Sequence, residues 1–142
     1  MLHNLKSCFL ISVYINDNLE DFKLAIDSCI NQTVLANRII IVLDGAVKEN
    51  ISSYCDILNS LPNIEIVVCK NNVGLGAALN MGLKFVEEDI VIRMDSDDLS
   101  RSNRVEKIIE FFKENPDVDI VGSYISEFNE TLGDISKIRE VP

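Results

Sequence analysis

An α/β fold, with a mostly parallel sheet sandwiched by helices, follows from three observations on this 142-residue sequence. Short, nearly continuous apolar runs alternate with segments whose apolar residues recur at i, i+3, i+4 and i+7, the pattern of strands buried on both faces separated by amphipathic helices. Strict alternation leaves no hairpins, so the strands run parallel and connect through right-handed crossovers. Polar and acidic residues follow each apolar run, and the carboxyl ends of strands are where an open parallel sheet forms its ligand crevice.

The elements follow in order. Ser7 to Tyr14 (SCFLISVY) is the first strand, and Leu19, Phe22, Ile26, Cys29 and Ile30 share one face of the first helix. Arg38 to Leu43 (RIIIVL) is the second strand, followed by the helical stripe Ile51, Tyr54, Cys55, Leu58 and Leu61. Ile64 to Cys69 (IEIVVC) is the third, followed by Leu75, Ala78, Leu79, Gly82 and Val86. Asp89 to Met94 (DIVIRM) is the fourth, followed by Val105, Ile108, Ile109 and Phe112. Asn115-Pro116 stops that helix, because proline disfavours helical geometry in the residue before it. Val118 to Ile125 reads as a fifth buried strand, and from Ser126 to Pro142 the periodicity lapses. No repeat or linker interrupts the pattern up to about Ile125, and residues 1–142 read as part of one domain.

Composition narrows the function classes. This length buries roughly 70% of the surface of the unfolded chain, so no disulfide or metal staple is required. Thirteen Lys and Arg against 23 Asp and Glu give a formal charge of −10, which opposes attraction to nucleic acid or an anionic membrane. Cys8, Cys29, Cys55 and Cys69 form no CxxC pair and fall in apolar segments, so they read as buried thiols of a reducing, cytoplasmic compartment. His3 is the sole histidine, which removes Ser/His/Asp catalysis and histidine-rich metal sites. No secretion signal or transmembrane segment is visible.

The residues after each strand carry the chemistry: Tyr14, Asn16 and Asp17 after the first, Asp44-Gly45 after the second, Asn71 to Gly74 after the third, and Asp95-Ser96-Asp97-Asp98 after the fourth. Three carboxylates within four residues repel one another unless solvent or a cation compensates, and such hard oxygen ligands suit Mg²⁺ or Mn²⁺ together with substrate phosphates. The same cluster also reads as a solvated turn capping the next helix. Asp44 is either a hydrogen-bond acceptor for a ligand or part of an Asp-Gly turn. Asn72, Gly74 and Gly76 suit an anion-receiving helix start, although Gly74-Leu75-Gly76 lacks the third glycine of a dinucleotide fingerprint. Asn80 is either a site residue or a buried structural amide. Arg93, in an otherwise apolar strand, either reaches a phosphate or pairs with Asp95 or Asp97.

Together these residues resemble the family 2 glycosyltransferases, nucleotide-sugar-dependent enzymes of the Rossmann-like GT-A fold. The likeness runs through ISVYINDN, SCINQT, IVLDG, NNVGLGAALNMGL and IRMDSDDLSRSNR in order, with the flavour of bacterial polysaccharide-assembly enzymes. The resemblance implies a donor pocket lined by Ser12 and Tyr14, with Asp44 accepting the base N–H and Asn72, Gly74 and Asn80 shaping the crevice. Asp95 and Asp97 match the DxD signature and, with Asp98, would contact the ribose and a divalent metal, Mn²⁺ or Mg²⁺, bridging the diphosphate. Asp97 and Asp98 are the expected metal ligands. Arg93 and Arg104 would steady the acidic loop or the phosphates.

The implied partners are a nucleoside diphosphate sugar, with UDP the expected nucleotide, and a saccharide or lipid-linked acceptor. The implied transfer inverts the anomeric centre. Leu43 stands where many members carry a first aspartate before Asp44. No residue matches the family's general base, and Glu127, Asp134 and Glu140 are candidates by charge alone, so the chain reads as the donor-binding part with the acceptor part missing. The full protein would work in the cytoplasm, at the inner face of the membrane. Two alternatives stand beside this reading. A nucleotidyltransferase would want a basic glycine-rich loop where the chain has YINDNLED, and a receiver-like signalling domain would use Asp44 as phosphoacceptor.

Overall fold

The computed structural model describes residues 4–129 and 135–140, and the chain divides into two compact units, residues 1–109 and 110–142. The first unit holds β1 (Ser7–Val13), α1 (Leu19–Ile30), β2 (Arg38–Leu43), α2 (Glu49–Leu58), β3 (Ile64–Val68), α3 (Leu75–Leu83) and β4 (Ile90–Asp95), and the start of α4 (Arg104–Glu114). Its sheet has the order β3-β2-β1-β4 and every pair is parallel, as the alternating pattern requires.

Two apolar faces explain why β1 and β2 read as continuous runs. Cys8, Leu10, Ile40, Val42, Val67 and Cys69 form one face and pack against Ala78 of α3, with Leu79, Met81 and Val86 alongside. Gly82 lets α3 sit this close, since a Cβ there would lie 2.5 Å from Leu10 Cδ1 and 2.7 Å from Val42 Cγ2. On the other face α1 brings Cys29 Sγ to 3.4 Å from Met94 Sδ, and Phe22 meets Tyr54 of α2 edge-on at 5.7 Å. Asn18 starts α1 by accepting the N–H groups of Glu20 and Asp21, satisfying donors that the first turn leaves open.

At the amino-terminal ends of the strands Arg38 ties the sheet together. It reaches Glu65 and Glu88 at 2.7 Å each and donates to the Phe85 carbonyl at 2.6 Å. The hydrogen bond that Arg38 donates to Glu88 holds the Glu88 carboxyl below its ordinary range.

Several expectations change. β4 is not buried on both faces: Val91 and Arg93 are exposed, because α3 lies over β1 and β2. Leu61 leaves the α2 stripe, since the helix ends at Leu58 and Leu61 sits in the following turn, its N–H donating to the Leu58 carbonyl. Ile30 and Leu75, at helix ends, are exposed as well. Val118 to Ile125 is not a fifth parallel strand. In the second unit β5 (Ile125–Phe128) pairs antiparallel with β6 (Ile135–Arg139), so a local hairpin takes up the segment whose periodicity lapses. Glu127 forms an ion pair with Arg139 across it. The four cysteines are free and buried, as their apolar settings require. Among the described residues no helix is long and apolar enough to cross a membrane.

Candidate functional site

The register brings the strand-end residues to one rim. Ser12 lies beside Asp95, Val13 beside Leu43, and Leu43 beside Val68, so the four strands finish nearly level. The Asp44 N–H donates to the Val13 carbonyl at 2.8 Å and the Cys69 N–H to the Leu43 carbonyl at 2.9 Å, which keeps the exits together. Since β2 and β4 flank β1, the backbones carrying Asp44 and Asp95 stand two strand spacings apart, about 10 Å.

Asp44 is only 3% exposed, and both carboxylate oxygens accept backbone N–H groups: Oδ1 from Val73 at 2.7 Å and Oδ2 from Gly74 at 3.0 Å. Asn72 Nδ2 donates to the Asp44 carbonyl at 3.3 Å. The aspartate thus clamps the loop after β3. Two glycines permit the fit: Gly45 has φ +78° with the backbone of Asn71 and Asn72 where a Cβ would go, and Gly74, the N-cap of α3, has φ +85°. A carboxylate oxygen accepts two hydrogen bonds, so Asp44 retains capacity for a ligand N–H. Its burial opposes a phosphoacceptor role.

The acidic turn follows β4. The Asp98 N–H turns back towards the Asp95 carbonyl at 3.4 Å, Ser96 is buried, and Asp97 and Asp98 are exposed. Arg93 grips Asp95 through both nitrogens, Nη1 donating to Oδ2 at 2.9 Å and Nη2 to Oδ1 at 2.5 Å, so pairing, one of the two readings of this arginine, is what it does. Arg104 Nη2 donates to the Arg93 carbonyl at 3.1 Å, and burial lowers its affinity for a proton. Although Asp98 as a residue is exposed, partial withdrawal of its carboxyl from water, then the charges of Asp95 and Asp97, push that carboxyl up.

The site chemistry suits a hard cation. The Asp95 charge is offset by Arg93, whereas Asp97 and Asp98 have no ion pair among the described residues. Uncompensated oxygen charge is what Mg²⁺ or Mn²⁺ binds. Among the described residues no three His, Cys, Asp or Glu side chains converge on a metal position, so an ion here would complete its shell from phosphate and water. A groove of about 460 Å³ opens elsewhere, between α2 and the ends of β2 and β3, lined by Gly45, Val47, Ser52 and Cys55. It holds none of the acidic turn.

The remaining candidates divide. Ser12 is half-buried on β1, and Tyr14 is exposed just beyond it, its N–H donating to Asp17 Oδ2 at 2.8 Å. Asn72 and Gly74 are exposed in the clamped loop. Asn80 is exposed on α3 and bonds to none of the other candidates, so the buried-amide reading does not hold. Glu127 is engaged by Arg139, Glu140 is exposed, and Asp134 lies outside the described residues.

Two residues had no role in the sequence reading. Lys48 Nζ donates to the Asp17 carbonyl at 2.7 Å, supplying a cation beside a loop that has none of its own. Gln32, in the SCINQT segment, is 7% exposed and bonded to the Ser28 carbonyl of α1 and to Ser100, Arg101 and Val105 around the start of α4. A lone glutamine just past an amphipathic helix was its signal.

The model of the family described as Glycosyl transferase family 2 matches residues 8–140. The chain is 39% identical over 137 residues to the UDP-Gal:alpha-D-GlcNAc-diphosphoundecaprenol beta-1,3-galactosyltransferase of Escherichia coli, covering 96% of this chain and 50% of that protein. It is 36% identical over 121 residues to the amylovoran biosynthesis glycosyltransferase AmsE of Erwinia amylovora, covering 85% and 46%. The chain thus spans about half the length of the curated relatives it matches. The crystal structure of S. aureus TarS superposes with a TM-score of 0.67 at 18% identity, covering 78% of this chain and 20% of that one, a likeness of fold.

Proposed function

The chain belongs to glycosyl transferase family 2, and on that premise we propose that its first unit is the donor-binding part of an inverting, metal-assisted glycosyltransferase. The donor would be a nucleoside diphosphate sugar, with UDP the expected nucleotide, and the acceptor a saccharide or a lipid-linked glycan. One observation carries the reading: Asp44 and the Asp95–Asp98 turn leave the same rim on the two strands that flank β1. A nucleotidyltransferase has less support, since the loop after β1 carries no basic residue of its own and Lys48 reaches it only at the Asp17 carbonyl.

The roles follow from position. Ser12 and Tyr14 form the floor under the nucleotide, and the remaining acceptor capacity of Asp44 reads a base N–H. The loop from Asn72 to Gly74 borders the diphosphate side. Arg93 keeps Asp95 oriented, which leaves Asp97 and Asp98 as the pair to hold Mn²⁺ or Mg²⁺. When bound, such an ion offsets charge on the departing diphosphate, an interaction of roughly 4 kcal/mol for unit charges 4 Å apart at an effective dielectric near 20. A carboxylate base takes the acceptor hydroxyl proton as the oxygen bonds to the anomeric carbon and the bond to the diphosphate breaks on the opposite face.

Ligand-linked unfolding tests the reading. UDP with Mn²⁺ at a hundred times its Kd contributes about 2.7 kcal/mol, a rise in Tm of roughly 5–10 °C. Asp97→Asn is expected to remove the Mn²⁺-dependent part. Equal stabilisation of variant and parent, or a response to no nucleotide among UDP, GDP and dTDP sugars, overturns the proposal.

A further inference from the structure

We propose that Gln32 is a positioning residue, the internal pin that fixes where the acidic turn sits. This rests on the reading of Asp97 and Asp98 as the carboxylates that face the ligand. The turn is held at one end by β4, where Ser12 fixes the level of Asp95. Its other end is the stretch from Ser100 to Val105, and that stretch is fastened to the end of α1 chiefly by one amide.

Gln32 Nε2 donates to the Ser28 carbonyl at 2.8 Å, the Arg101 carbonyl at 2.9 Å and Ser100 Oγ at 3.3 Å, while Oε1 accepts the Val105 N–H at 3.1 Å. Two N–H bonds serve three acceptors, so one is shared. Neighbouring residues extend the seam. Ser28 Oγ accepts the Ser100 N–H at 3.0 Å and donates to the Ala25 carbonyl at 2.7 Å; the Thr33 N–H donates to the Ser102 carbonyl at 2.7 Å; Thr33 Oγ1 donates to Glu106 at 3.0 Å.

The bonds from Gln32 to Ser100, Arg101 and Val105 join residues 68 to 73 positions apart in the chain, so they report tertiary placement and not local turn geometry. The Val105 N–H is one of the donors a helix start leaves open, and Gln32 fills it from inside the protein. A buried amide with every group bonded specifies a single arrangement, whereas apolar packing tolerates small slides. Between the two anchored ends only Ser96 to Leu99 remain, so a slide at Ser100 would carry Asp97 and Asp98 with it.

The test uses the whole chain with Gln32→Glu and Ser28→Ala, and Mn²⁺ with UDP as the probe. At pH 7.5 a carboxylate at position 32 still accepts from Val105 but has no proton for Ser28 or Arg101. We expect protection of the backbone amides of residues 96–102 to fall about tenfold and the Kd for Mn²⁺-UDP to rise about tenfold, with amides of β1 and β2 unchanged. Lowering the pH protonates the new carboxyl and restores a donor, so protection relative to the parent at the same pH should recover. Glu106 on Thr33 and Asp98 near Arg104 are the other carboxylates around the seam. Both are present in the parent, whose profile accounts for them, and the buried Cys29 thiol, pushed up to about 12, stays protonated throughout.

Ser28→Ala, a milder change, should show the same local pattern at smaller amplitude. Uniform loss of protection across the sheet, or local loss with the Kd of the folded protein unchanged, overturns the proposal. If the parent fails to bind Mn²⁺-UDP, the donor-binding reading falls, while the exchange pattern and its recovery with pH still decide whether Gln32 fixes the turn.

Discussion

Asp98 is held at a cost. Burial and the charges of Asp95 and Asp97 raise its carboxyl above the ordinary aspartate range, so the folded chain binds this proton more tightly than the unfolded one. Stability therefore falls as pH rises from the unfolded value near 3.9 through the folded one. Asp98→Asn should raise Tm slightly without divalent ions at pH 7, an increment that vanishes at pH 3, while shrinking the gain from Mn²⁺-UDP. Calorimetry with and without Mn²⁺ checks both signs. The acidic turn was legible in the sequence because its residues are adjacent. Asp44 was legible only as a choice between ligand and turn, because its partners Val73 and Gly74 lie 29 and 30 residues on, beyond any local pattern.

Among the elements, α3 depends most on a residue with no side chain. Ala at position 82 would push a methyl into Leu10 and Val42, and overpacking of this kind costs about 1–3 kcal/mol. Gly82→Ala should lower the urea midpoint and, because α3 carries Gly74 at its start, weaken nucleotide binding beyond what the stability loss explains. Titration of the folded variant separates the two. Helical periodicity marked Gly82 as core-facing, and the structure agrees. It failed at Val118 to Ile125, where apolar content suggested a parallel strand and a hairpin partner decided otherwise. Periodicity records which residues avoid water; it does not record which strand they pair with.

At the scale of the molecule, chemistry and cohesion occupy opposite ends of the sheet. Arg38 holds Glu65 and Glu88 at the amino-terminal rim, far along the strands from Asp44 and Asp97. Glu88, held below its usual range by Arg38, contributes stability that is present above pH 4.5 and is lost as pH falls through its folded value. Arg38→Met should cost about 2 kcal/mol at pH 7, less in acid once Glu88 is protonated in both proteins, and should leave Mn²⁺-UDP affinity of the folded chain unchanged. Urea unfolding across that range reads it. Parallel topology and the rim on which the candidate residues gather were both legible, because alternating runs admit few connections. The open face of β4 was not, since it depends on where α3 comes to rest.

The sheet order has a kinetic corollary. β1 emerges early, yet one of its neighbours is β4, about eighty positions downstream, so closing that pairing is an entropically slow step. An assembly of β1, β2 and β3 could already contain the Asp44 latch while the carboxylate turn, carried by β4, was still unattached. On the proposed reading, docking of β4 would bring the carboxylates proposed to hold the ion, so a grip on pyrophosphate would arise with that pairing.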